Sequence, residues 1–229
     1  MQTGTAKTNP EIDQDRTDIV EMFDKYGYVM FPQQRAIYKH IQKTIGRSDA
    51  VLEAGCGHGL GTAILEQSET DAYVCGTDKL PRNVNFASQL YPWIGFCVWD
   101  INNPVPAPLP RPFDWVPVDE PYFTTVVAVE VIEHVANPTE AIRNLIDVCK
   151  DTLWMSTPNG AVTNENPPSN TFHVSEYTPE QMYLMIRDAA TIAGITMLGI
   201  RTRHWETFEQ LDDYNKDVNP LVYEITLER

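Results

Sequence analysis

An acid and four alternating glycines stand together in Val51-Leu52-Glu53-Ala54-Gly55-Cys56-Gly57-His58-Gly59-Leu60-Gly61. A short apolar run that ends in Glu53 and passes into glycines reads as a buried parallel strand. It breaks into a tight turn and feeds a helix near Leu60. Glycine suits such a turn because some positions need positive φ, and because a Cβ would keep a ligand off the backbone. A pyrophosphate site uses G-x-G-x-x-G with bare amides. Here the spacing is E-x-G-x-G-x-G, and an acid beside the first glycine repels a pyrophosphate and favours a cationic, amine-bearing ligand. A glycine-rich turn with no ligand is the plain alternative. A second acid, Asp78, closes Ala72-Tyr73-Val74-Cys75-Gly76-Thr77-Asp78, about 20 residues on, where Rossmann-like sites place a carboxylate on ribose hydroxyls. The alternative for Asp78 is a helix N-cap ahead of Pro81.

Further along, Trp93-Ile94-Gly95-Phe96-Cys97-Val98-Trp99-Asp100-Ile101 also reaches an acid, as does Val126-Val127-Ala128-Val129-Glu130. The latter continues into Val131-Ile132-Glu133-His134-Val135, where i, i+3, i+4 spacing gathers Glu130, Glu133 and His134 on one face if the segment is helical. A histidine with an ordinary pKa near 6.5 is the natural proton acceptor at neutral pH, and His134 and His173 are the candidates. His58 lies inside the glycine turn, where its backbone matters more than its ring.

The elements that must carry these residues alternate between strands and helices. A helix is expected over residues 33–45, with Ile37, Ile41 and Ile45 on one face and Gly46 stopping it. Helices are expected after the glycine turn, over 83–90, and from Asn137-Pro138-Thr139-Glu140 to about Cys149. In that last case asparagine cap, first-turn proline and N3 glutamate agree. Thr178-Pro179-Glu180-Gln181 opens another helix, ending near Gly194. The remaining strands are expected over 123–129, 152–159, 195–200 and 221–227, with an exposed acidic link over 204–219. Residues 102–121 hold seven prolines, so neither helix nor central strand is expected there. Phe113 and Trp115 in that segment could cover a pocket or dock a partner. Residues 11–25 show a helical face, and Tyr26, Tyr28 and Phe31 are expected to pack an N-terminal layer.

Acids at three successive strand ends, in this order after the glycine run, resemble the class I S-adenosylmethionine (SAM)-dependent methyltransferases. V-V-A-V-E-V-I-E-H-V, S-T-P-N at 156–159 and H-V-S-E-Y-T-P-E-Q at 173–181 are similar to the ubiquinone-biosynthesis-like, small-molecule group. The resemblance covers about residues 48–200. Where the family often has Pro-Gly-Gly, this chain has Cys149-Lys150-Asp151, expected as a surface turn.

The resemblance implies a Rossmann-like α/β sandwich with a seven-stranded, mostly parallel sheet, an antiparallel last strand and an N-terminal helical cap. It implies one domain over 1–229: the cap over 1–46 and a SAM-binding core over 47–229 that contains the proline-rich insertion. It places the cofactor on Glu53, Ala54, Gly55, Cys56, Gly57 and Gly59, on Asp78 and Lys79 after the second strand, and on Glu130. Asp100 would take the adenine amino group and Ile101 would pack on the ring; Asp100 as a simple turn residue stays open.

Composition narrows the class. Hydrophobic residues are 42% and charged residues 21%, ordinary for a soluble globular protein. No apolar run approaches the ~20 residues that span a bilayer. Residues 1–7 lack the apolar region of a signal peptide. The four cysteines form no C-x-x-C pair, which predicts free thiols, a cytoplasmic location and no zinc site. A net charge of −15 repels nucleic acid unless a basic patch offsets it.

The expected function is therefore methyl transfer from SAM, with S-adenosylhomocysteine (SAH) as product, to an O or N atom of a small-molecule or sugar-like acceptor. His134 or His173 would serve as base, without metal, and a homodimer is left open. Two alternatives stand beside it. Glu130, Glu133, His134 and His173 also resemble the metal ligands of small-RNA 3′-terminal 2′-O-methyltransferases, and an inactive SAM-binding partner protein would keep the loop without turnover.

Overall fold

Seven strands form one sheet in the order β3-β2-β1-β4-β5-β7-β6 in the computed structural model. Residues 30–47, 49–105, 121–163, 168–195, 197–211 and 218–228 are described. The chain divides into two compact units, Met1–Phe31 and Pro32–Arg229. Of the first, only Met30 and Phe31 are described, and Phe31 is exposed rather than packed. The expectations for 11–25, Tyr26, Tyr28, Phe113 and Trp115 lie outside the described residues.

Within the second unit, α1 (Pro32–Gln42) precedes β1 (Ala50–Ala54), α2 (Leu60–Glu66), β2 (Tyr73–Asp78), α3 (Pro81–Leu90) and β3 (Gly95–Val98). Then come β4 (Phe123–Val129), a 3-10 turn (Ile132–His134), α4 (Pro138–Val148), β5 (Cys149–Thr157) and α5 (Gly160–Thr163). The chain ends with α6 (Pro179–Ile192), β6 (Met197–His204) and β7 (Leu221–Glu228). Strands β1 to β5 are parallel; β7 runs antiparallel between β5 and β6.

The central strands are apolar without alternation because both faces are covered. Every residue of β1 is buried, as are Val126 to Val129 of β4. Helix α4 starts where Asn137 accepts from the Glu140 amide at 3.4 Å, and it buries Ile142, Leu145 and Ile146. Helix α6 starts in a reciprocal box: the Gln181 amide donates to the Thr178 hydroxyl at 3.3 Å, and the Thr178 amide to the Gln181 side chain at 2.9 Å. It buries Met182, Ile186 and Ala189, one stripe at helical spacing, in the same core as α4.

The sheet is ordered so that β1 and β4 are neighbours while the chain leaves them in opposite directions. That is a topological switch point, where open α/β sheets bind ligands beyond the strands' carboxyl ends. The glycine turn follows β1 there, and Glu130 to His134 follow β4.

Four elements differ from expectation. Helix α1 ends at Gln42, not Ile45, because the Thr44 hydroxyl takes the Ile41 carbonyl at 2.7 Å. Strand β3 is shorter than residues 93–101, because Trp99 turns into the core and its ring N–H donates to the Asn103 carbonyl at 3.1 Å. Cys149-Lys150-Asp151 is not a separate turn but the start of β5, beside a register shift at Phe123/Thr125. Strand β6 runs on to His204, since Arg201 and Arg203 pair with Glu224 of β7 on one face. Those alternating charges mark an outward strand face rather than a loop.

Candidate functional site

The glycine turn is built around two carboxylates with different duties. Glu53 is fully buried, and its oxygens accept from the Tyr38 hydroxyl of α1 and the Thr62 hydroxyl of α2. Burial pushes its carboxyl up to about 7, against the pull of those two donors. A Cβ on Gly61 would strike Glu53 and Tyr38, so glycine there lets α2 close over the acid. Glu53 thus ties α1, β1 and α2 together, and both its oxygens are engaged inside the protein.

Asp78 stands opposite. Its Oδ2 accepts from the Gly57 amide at 3.0 Å, and its Oδ1 from the Leu80 amide at 2.9 Å and the Asn83 side chain at 3.1 Å. Gly57 has φ +53, and a Cβ there would meet nothing within 4 Å. The face of the turn at Gly57 is therefore open, and the backbone conformation favours glycine even where space exists. Cys56 is held by its amide on the Thr77 carbonyl at 2.8 Å. Ala54 is buried at the end of β1, Gly59 caps α2 with φ 82, and Lys79 is exposed beside Asp78. His58 packs its buried ring edge-on to Phe86.

Beyond β3, Asp100 folds back on its own turn: Oδ1 accepts from the Asn102 amide at 3.0 Å and the Asn102 side chain at 2.8 Å. Ile101 is buried in the main core, and its carbonyl is held by Asn144 of α4 at 2.8 Å. The turn-residue alternative for Asp100 thus has direct support, and the Ile101 side chain belongs to the core.

On the β4 side, the chain turns sharply at Glu130, which has φ 55 without being glycine. A non-glycine in the left-handed region is held there at a cost of ~1–3 kcal/mol. Its amide donates to the Ser156 carbonyl at 3.1 Å and hydroxyl at 3.2 Å, and that hydroxyl donates to Glu130 Oε1 at 2.7 Å. Burial lifts the Glu130 carboxyl to about 7, with Ser156 opposing and the Glu176 charge adding. Glu133 is wholly buried and neither oxygen accepts a hydrogen bond. Burial, then the charge of Glu130, push its carboxyl well above the usual range; Thr157 offsets part of this from outside hydrogen-bond geometry.

Segment 172–175 is stitched onto this turn. The Val174 and Ser175 amides donate to the Glu133 carbonyl at 2.8 and 3.3 Å, and His134 Nδ1 donates to the Phe172 carbonyl at 2.9 Å. His173 Nδ1 lies 2.6 Å from Glu176 Oε1, and the Asn170 amide donates to Nε2 at 2.9 Å. The two imidazoles meet edge to face with centroids 5.0 Å apart. One ligand atom each from Glu133, His134 and His173 lies within 4.8 Å of the others. The two halves of the site abut, for a Cβ on Gly55 would lie 2.6 Å from Val131 Cγ2.

Residues 26–210 match the family described as a methyltransferase domain. The chain belongs to that family. It is a SAM-dependent methyltransferase, and its sheet is the Rossmann-like methyltransferase fold. Solved structures agree in fold. A TehB-like SAM-dependent methyltransferase of Corynebacterium glutamicum shares 15% identity over 96% of this chain and 100% of its own, with TM-score 0.62. A Thermotoga maritima SAM-dependent methyltransferase, described as a possible histamine N-methyltransferase, shares 14% over 96% and 99%, with TM-score 0.59. The methyltransferase domain of bacterial CtHen1-C shares 17% over 86% and 98%, with TM-score 0.60. No curated protein gives a match. Among the described residues no helix of this methyltransferase is long and apolar enough to cross a membrane.

The open face at Gly57, beside a carboxylate that already orders the turn, fits SAM. The residues that pattern reading missed are Tyr38, Thr62, Ser156 and Glu176. Only two left a trace: Ser156 begins S-T-P-N, and Glu176 stands three after His173.

Proposed function

We propose that this methyltransferase modifies an oxygen or nitrogen atom of a small-molecule or sugar-like acceptor. The acceptor sits where the glycine turn meets the Glu133–His134–His173 cluster. One observation carries the reading: Val131, which leads into Glu133 and His134, lies so close to Gly55 that a Cβ there would stand 2.6 Å from it, so the segment that carries the cluster runs beside the turn. The backbone of Gly55 and Gly57, the Asp78 carboxylate and Glu130 hold the cofactor, with Asp78 on the ribose hydroxyls and Glu130 toward the amino group. Glu53 acts through the turn it braces. SAM supplies a methyl on a sulfonium and leaves as neutral SAH.

The chain has two tasks: to align the acceptor and to relieve it of a proton. Glu133, His134 and His173 are gathered for the second task, either taking the proton or acidifying it. The net charge of −15 favours an acceptor that is not a polyanion. The test is SAH release with a panel of phenols, alkylamines and monosaccharides against a short single-stranded RNA. Turnover on the small acceptors is expected. Turnover confined to RNA would overturn the assignment.

A further inference from the structure

We infer that His173 is the group that takes the acceptor's proton, with Glu176 as the positioning residue behind it. This deepens the reading above and rests on its acceptor position. The first observation is a chain of hydrogen bonds that leaves His173 one neutral form. The Phe172 amide can only donate, so the Asn170 side-chain atom 3.1 Å from it is the oxygen. The other end of that side chain is then the NH₂ group, which also can only donate. It lies 2.9 Å from His173 Nε2, so Nε2 accepts and carries the lone pair. The imidazole proton is on Nδ1, where Glu176 Oε1 accepts it at 2.6 Å.

The second observation is the contrast between the two imidazoles. A carboxylate behind Nδ1 stabilises the imidazolium that forms when Nε2 takes a proton. His173 has that carboxylate. His134 has only the neutral Phe172 carbonyl on its Nδ1, at 2.9 Å. Glu133 Oε1 stands 3.8 Å from His134 Nε2, beyond hydrogen-bond reach. His134 instead meets the His173 ring edge to face and helps to hold it in place.

The third is how firmly Glu176 is held. The side chains of His173 and Glu176 are 11% and 5% exposed. The next residue, Tyr177, accepts at its carbonyl from the Gly160 amide at 3.0 Å, just past β5. A Cβ on Gly160 would stand 2.9 Å from the Glu176 carbonyl, so glycine lets the two segments close together. Asn159 is wholly buried and ties this exit of β5 to the Val218 carbonyl at 2.9 Å. Thr178 then caps α6. Among the described residues His173 is the one donor to the Glu176 carboxylate. A base whose far nitrogen is fixed in this way is aimed as well as present.

The acceptor's O–H or N–H replaces the Asn170 amide at Nε2, an exchange favoured because that hydrogen bond lies at the surface. The acceptor's proton passes to Nε2 while its lone pair forms a bond to the methyl carbon. The C–S bond breaks, and its electron pair stays on sulfur. Glu176 takes no proton, and the imidazolium later gives its own to water.

The test has two arms, both on the full chain. In mildly alkaline buffer with SAH, two-bond proton–nitrogen correlation of the ¹⁵N-labelled protein reads the tautomer of each histidine. The His173 signal is the one missing from His173→Ala. It should show Nδ1 protonated and Nε2 bare, with an Nδ1–H resonance shifted downfield that Glu176→Ala loses. In the second arm, Glu176→Ala should lower kcat roughly 10²-fold on the phenol, amine or monosaccharide that turns over. Acceptor KM and SAH affinity should stay unchanged, and Glu176→Asp should recover part of kcat. An Nε2–H tautomer in the wild type would overturn the inference whatever the kinetics show. So would wild-type kcat in Glu176→Ala, or a loss of SAH binding as large as the loss of turnover. Turnover on none of the probes would strike the acceptor reading instead, and the tautomer would then decide this one.

Discussion

The two sides of the switch point treat their acids differently. After β1 and β2, Glu53 and Asp78 are satisfied by donors of the protein itself: two hydroxyls for one, two amides and an asparagine for the other. After β4, Glu130 has one hydroxyl donor and Glu133 none. The first side is a finished frame that needs only an open backbone face. The second leaves its carboxylates short of donors, and burial favours their neutral form. A frame built on satisfied carboxylates tolerates an empty site, whereas an unsatisfied one marks where chemistry is concentrated.

The largest effect should come from closing the open face. Gly57→Val places a branched Cβ in the free space at a φ that β-branched residues avoid. SAH binding by calorimetry should fall below detection in a chain that still unfolds cooperatively. Retained affinity would mean that the ligand does not approach this backbone.

Next, His134→Ala and His173→Ala should lower turnover by about 10²–10⁴ and spare SAH affinity. That outcome would separate the two sides as acceptor and cofactor halves. An equal loss of SAH binding would merge them.

The frame itself can be probed through pH. The Glu53 carboxyl sits at about 7 in the folded state, above its ordinary 4.5. The folded protein therefore holds that proton longer than the unfolded chain. The associated stability is whole below pH 4.5 and is lost as pH rises through 7, on the order of 3 kcal/mol in all. Urea unfolding at pH 5 and pH 8 should show a smaller drop in Glu53→Gln than in the wild type. Equal drops would refute the account of a buried, proton-holding brace.

The smallest effect is the sharpest discriminator. Asp78→Ala should weaken SAH binding by roughly 1–3 kcal/mol through lost charge-assisted hydrogen bonds. A loss of stability with affinity intact would make Asp78 a brace like Glu53, not a ribose ligand.

Much of the frame was legible because its signals are local. A glycine turn needs only its own φ angles, and the caps at Asn137 and Thr178 act over three residues. Strand ends are harder to read. Ile101 follows Asp100 in sequence as an adenine-packing residue would, yet Trp99 and Ile101 both turn inward because the edge strand stops at Val98. The outward arginines of β6 look like a link until Glu224 stands beside them.

From sequence alone follow the alternation of strands and helices, the glycine turn with its acids in order, and the two histidines as candidates. Tertiary structure alone decided which acids are satisfied. Donors to Glu53 come from 15 residues before it and 9 after, and His134 is anchored by a carbonyl 38 residues away. Whether a buried carboxylate is satisfied or left without a donor depends on hydrogen-bond partners that only folding brings within 3 Å or so. No residue type or spacing encodes that, and it separates Glu53 from Glu133.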